Sequence, residues 1–198
     1  MMHIGGSQIM FRTRKGSYGY LKRRKKQLMF HVGLVLAGMA ILIALGIYST
    51  GTRKNLLTIV AVVSALPLAN ELVVLIAIWP YTSRPREEYD KVREITGNGV
   101  LDTELIITSK TDKAIEVNYA YVHEKGVFCF TADKKTDHAK AAEYIESFLE
   151  KNDLKADVFF MRDWKKFVSR IKELSPEDRN TCDESLLRIE GVLRAISI

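Results

Sequence analysis

The chain has 198 residues, 47% of them hydrophobic, and a formal net charge of +6. That length suits a single soluble domain only when apolar residues are dispersed, and here they are concentrated in two runs. The 2 cysteines and 4 histidines (His3, His31, His123, His138) show no paired metal-ligand spacing, which excludes a disulfide scaffold or a zinc module as the organising feature.

In chain order the first feature is basic. Arg12, Arg14, Lys15, Lys22, Arg23, Arg24, Lys25 and Lys26 all lie within residues 1–27, and residues 1–70 hold ten Lys/Arg and no acid. This segment reads as a topology determinant beside lipid phosphates, in preference to a nucleic-acid patch. Residues 28–48 (LMFHVGLVLAGMAILIALGIY) and 56–79 (LLTIVAVVSALPLANELVVLIAIW) follow. Each run exceeds the roughly 20 residues a helix needs to cross a hydrocarbon core, and a second span directly after the first argues against a cleaved signal. The loop between them carries only Arg53 and Lys54. The positive-inside rule therefore predicts a transmembrane hairpin, 28–79, with the N-terminus and an 80–198 domain in the cytoplasm.

Small residues in the spans (Gly33, Ala37, Ala40 and Ala44; Ala61, Ala65 and Ala69) fit a packed anchor. Pro67, Asn70 and Glu71 are less ordinary. Glu71 precedes Trp79 by eight residues, about 12 Å of helix. A carboxylate at that depth is expected to find a partner or give up its charge, and His31 lies at similar depth in an antiparallel hairpin. The polar set His31, Asn70 and Glu71 suits assembly with a second copy or another membrane protein, ahead of proton or ion chemistry.

Beyond the spans, TSRPREEYDKVREI predicts a linker and an amphipathic helix ending near TGNG, and VLDTELIITS a strand. Ile115, Val117, Tyr119 and Tyr121 alternate with Glu116, Asn118 and Ala120, the period of a half-buried strand. HEKG is a turn and VFCF a central strand. Asp137 caps a helix through EKN, DVFFM is a fourth strand, Asp163 caps WKKFVSRIKEL, and SPED starts a terminal helical region. The order is helix, three strands, helix, strand, helices, an α/β domain. After Glu71 there are 20 bases against 23 acids, a balance that weighs against a strong phosphate-binding surface. Cys129 and Cys182 are expected to remain thiols.

The hairpin VNYAYVHEKGVFCFTADKK resembles the nuclease-related domain, a branch of the restriction-endonuclease-like fold often attached to membrane spans. Gly126, Val127 and Phe128 stand on that family's glycine, aliphatic and phenylalanine, and the likeness runs over roughly residues 86–172. What the resemblance implies for catalysis is a departure: the family's aspartate, glutamate and lysine fall on Asn118, Thr131 and Asp133. Two anionic oxygens for Mg²⁺ are then missing. A shift of one rung outward would offer Glu116, Asp133 and Lys135 instead, the set an active Mg²⁺-dependent nuclease would use. Acids and lysines at a strand's end are otherwise a solvated edge. The expected function is a membrane-anchored binding or assembly module on an inactive nuclease-like core. No cofactor is expected unless the nuclease alternative holds, and a small membrane subunit acting through Glu71 is the third reading. Membrane lipid is the first partner expected, with nucleic acid held through a remnant groove a further one.

Overall fold

The computed structural model describes residues 14–52, 55–108, 114–174 and 184–198. The chain forms two compact units, Leu21–Thr82 and a discontinuous unit of Met1–Tyr20 with Ser83–Ile198. Arg12, Arg53, Lys54, Cys182 and the SPED helix start lie outside the described residues.

The first unit is helical. Helix α1 spans Tyr20–Thr50, α2 Leu56–Val63 and α3 Ala65–Ile78. The Asn55 side chain accepts the Thr58 N–H at 2.9 Å and so caps α2. Ser64 separates α2 from α3 because Pro67, three residues later, has no N–H for the Val63 carbonyl and crowds it. Tyr20–Thr50 and Leu56–Ile78 are both long and apolar enough to cross a membrane. Only 11% and 17% of their apolar windows are buried, the reverse of a core helix in a water-soluble protein.

The second unit is a three-layer α/β arrangement. Its elements are α4 (Arg86–Thr96), β1 (Val100–Ile107), β2 (Ile115–His123), β3 (Gly126–Phe130), α5 (His138–Glu150), β4 (Val158–Met161), α6 (Trp164–Glu173) and α7 (Glu184–Ala195). The sheet order is β1-β2-β3-β4, antiparallel through β3 and then parallel, since α5 provides the crossover from β3 to β4. One face packs Val127 and Cys129 against Ala141, Ile145 and Leu149 of α5 and Leu186, Ile189 and Leu193 of α7. The other packs Tyr119, Tyr121, Phe128 and Phe130 against Val92 of α4 and Phe167 and Ile171 of α6. Asp137 and Asp163 cap α5 and α6, each accepting two backbone N–H groups. Gly126, at the β2–β3 turn, takes φ +127 and lies so close to the Asp157 carbonyl that a Cβ would stand 2.6 Å from it.

The simple alternation expected for β2 does not hold along its length. Ile115 and Val117 belong to the α5/α7 face, but Tyr119 and Tyr121 belong to the opposite one, so the pattern slips by one at Asn118. On β1 the same slip occurs at Glu104, which adopts φ +57 and is absent from a register that pairs Thr103 with Tyr119 and Leu105 with Val117. The cost of a left-handed glutamate is offset in part by its carboxylate, which accepts the Gly19 N–H at 2.7 Å.

Gly19 belongs to a strap, residues 14–19, lying along the open edge of β1. Thr103 donates to the Gly16 carbonyl at 2.8 Å, and farther along Ile198 donates to the Ile106 carbonyl at 2.9 Å. The strap revises the role of the basic flank. Arg14 pairs with Glu190 at 3.4 Å, and the Lys15 ammonium donates to the Ser197 carbonyl at 2.6 Å, so both serve the α/β unit. Beneath the strap, Asp102 is fully buried and accepts from Arg194 Nε at 2.9 Å, while Arg194 also bonds Glu190. Burial pushes the Asp102 carboxyl up to about 7 despite the neighbouring Arg194 guanidinium.

Candidate functional site

The residues singled out on the hairpin gather at one end of the sheet, outside the carboxyl ends of the parallel strands β3 and β4, where α5 and α6 begin. Open α/β sheets place ligands at such ends. The register sets Tyr119 opposite Phe130, and β3 stops there. The outer rungs, Asn118 with Thr131 and Glu116 with Asp133, are therefore not ladder pairs.

Side chains close the strand instead. Asn118, 4% exposed, accepts the Ala132 N–H through its amide oxygen at 2.7 Å and donates its amide N–H to Glu116 at 2.9 Å. Thr131 Oγ1 accepts the Asp133 N–H at 3.2 Å. Asp133 accepts the Lys135 N–H at 3.0 Å on one oxygen and the Thr136 hydroxyl at 3.0 Å on the other. Short polar side chains that bond their own backbone two residues on compete with strand pairing, and here they win. Asp133 and Lys135, the shifted D-x-K set, thus lie beyond the end of β3, and Lys135 is exposed.

Electrostatics follows from these positions. Burial raises the Glu116 carboxyl above its ordinary value, with the Asn118 hydrogen bond opposing and the charge of Asp133 adding to the rise. Asp133 goes the other way, held below the usual carboxylate range chiefly by the Lys135 N–H. The two acids therefore sense each other while each is engaged by neighbours. Among the described residues no group of three His, Cys, Asp or Glu side chains converges.

Two nearby groups escaped the sequence reading. Arg162 donates to the Thr136 carbonyl at 3.0 Å and so ties the β4–α6 connection to the turn holding Asp133. His138, in the first turn of α5, packs on Phe160 at 5.9 Å between ring centroids, and burial keeps its imidazole below its ordinary value. Neither has a motif; only the crossover that aligns β3 with β4 brings them to the site.

The polar residues singled out on the apolar helices separate into two kinds. His31 Nδ1 lies 2.7 Å from both carboxylate oxygens of Glu71, so these two are brought together across α1 and α3. Asn70 is exposed beside them and joins no such pair.

Comparison with models of protein families, with curated proteins and with solved structures gave no match.

Proposed function

We propose that the chain is an integral membrane protein whose α/β unit works in the cytoplasm as a binding or assembly module, on a hairpin frame similar to the nuclease-related domain. The membrane reading is supported by the two exposed apolar helical stretches. Residues 14–20 and 83–198 fold together in one unit, so the chain between them must return to the side it left, in keeping with a hairpin. The basic flank then selects the cytoplasm for both.

The observation that carries the non-catalytic reading is the use made of Asn118. Its amide is spent on closing β3 and holding Glu116, where the family's frame would have an aspartate turned to Mg²⁺. Asp133, the acid of the neighbouring turn, has both oxygens occupied in the same manner. The test is a Mg²⁺ and Mn²⁺ titration of the purified full chain in a nuclease assay, beside Asp133→Ala and Glu116→Gln. Cleavage that depends on metal and disappears in both variants would overturn the binding-module reading.

That outcome would favour the nuclease alternative, for which one observation speaks: Glu116 and Asp133 are close enough for the charge of one to raise the other. A third role, a membrane subunit acting through Glu71, draws on the His31–Glu71 pair. Glu71→Gln with an unchanged oligomeric state and phenotype would remove it.

A further inference from the structure

The outward face of the second span repeats at alternating steps of four and three residues. Ile59, Val63, Leu66 and Val73 are 61%, 58%, 71% and 65% exposed, and Asn70 occupies the remaining position of the same line. At about 100° per residue these five fall within one narrow seam, opposite the line of Ala61, Leu68 and Leu75, which are buried. Hydrocarbon tails satisfy four of the five positions. They cannot satisfy Asn70, whose side-chain amide has no hydrogen-bond partner among the described residues.

The depth of Asn70 narrows what can cover it. It stands nine residues before Trp79, about 13 Å inside the end of the span. Copies inserted with one topology are related by an axis along the membrane normal, so any residue meets its own counterpart at the same depth. A donor-only or acceptor-only group gains nothing from that meeting. A carboxamide carries both functions, and two of them complete each other. Glu71, by contrast, is already engaged by His31.

We propose that the protein self-associates in the bilayer along the Ile59–Val63–Leu66–Asn70–Val73 seam, with Asn70 of each copy donating to and accepting from Asn70 of the other. The seam resembles a coiled-coil contact in which one buried asparagine sets register. The proposal rests on the membrane-spanning reading.

The test uses the full chain in phosphatidylcholine vesicles. Donor- and acceptor-labelled copies are diluted with lipid while energy transfer is followed. Asn70→Leu is expected to raise the dissociation constant about 3- to 30-fold, the range found for interhelical hydrogen bonds in membranes. Asn70→Gln, which keeps the carboxamide, is expected to retain association. In a C129A/C182S background, Val73→Cys is expected to cross-link between copies on oxidation. Ile76→Cys, 70% exposed but about 100° off the seam, is not. A vesicle-embedded chain that stays monomeric at every dilution, an Asn70→Leu variant that associates as well as wild type, or equal cross-linking at residues 73 and 76 would each overturn the proposal. Release of the chain from vesicles by an alkaline wash would instead remove the spanning reading beneath it.

Discussion

Arg194→Ala should reveal the buried charge cluster under the strap through a pH-dependent loss of stability. Asp102 is fully buried, and Arg194 supplies the guanidinium against its Oδ1; the other oxygen has no hydrogen-bond partner among the described residues. The remaining arginine of the cluster, Arg14, has a 70% exposed side chain and is engaged with Glu190. Removing one partner of a buried ion pair costs about 3–5 kcal/mol, because the remaining charge is stranded. At pH 8 the variant escapes that full figure by protonating Asp102, so it should lose about 2–3 kcal/mol, no more than about 1.4 kcal/mol beyond its loss at pH 5. The wild-type Asp102 carboxyl titrates at about 7 in the folded state against an ordinary 3.8. A raised acid favours the folded state fully below its unfolded pKa, and the advantage is lost as pH rises through the folded pKa. At about 1.4 kcal/mol per tenfold in proton affinity, the interval bounds the wild-type effect at about 4 kcal/mol. At pH 5 Asp102 is protonated with or without Arg194, so the variant should then lose only about 1–2 kcal/mol, chiefly the Glu190 contact and a hydrogen bond. The assay is urea unfolding of the full chain in lipid nanodiscs, read by hydrogen exchange at the β1 amides of Thr103 and Ile107. A cost below about 1 kcal/mol at both pH values, or one that does not change between them, would refute the reasoning.

The other predictions concern the hairpin. Asn118→Asp places a second carboxylate beside Glu116, whose own carboxyl is already raised by burial. Relative to wild type its stability should fall by about 1 kcal/mol as pH climbs from about 4 to 7, and an unchanged pH profile would count against the contact. Cys129 is fully buried and its thiol is pushed up to about 12. In a Cys182→Ser background it should react with a thiol reagent at pH 8 at least about 1,000-fold slower than a free thiol, at a rate set by unfolding. Gly126→Ala forces a methyl against the Asp157 carbonyl at φ +127 and should lower stability by about 2 kcal/mol or more, measured as a urea midpoint.

Periodicity and caps made most of the fold legible. The apolar runs gave long helices, the Asp137 and Asp163 caps lie where the acids precede helical patterns, and VFCF is central because both its faces are apolar. What escaped was non-local. The strap needs Gly16 and Thr103 to meet across 87 positions, and nothing in either neighbourhood announces the other. The slip at Glu104 and Asn118 was invisible for a related reason, since strict alternation through IEVNYAY fits the letters until tyrosines and valines are seen to serve opposite faces. At the candidate site, strand periodicity carried Asp133 and Lys135 onto a rung that β3, which ends at Phe130, does not form. A D-x-K on a strand projects acid and base together, whereas the same letters in a turn fold back on their own backbone.

On the membrane-spanning reading proposed above, the strap would make insertion part of folding. Tyr18 and Arg84, which flank the two apolar helices in sequence, are joined within the α/β unit by a hydrogen bond of 2.9 Å from the Tyr18 hydroxyl to the Arg84 carbonyl, so the two chain exits from that unit lie side by side. A chain that inserted only one of its spans would strand Gly16 and Gly19 across the bilayer from Thr103 and Glu104. Its β1 edge would then stay open and Asp102 uncovered, an invitation to aggregation or proteolysis. On that reading the edge strand would act as an inspector of topology, closed only in correctly threaded molecules.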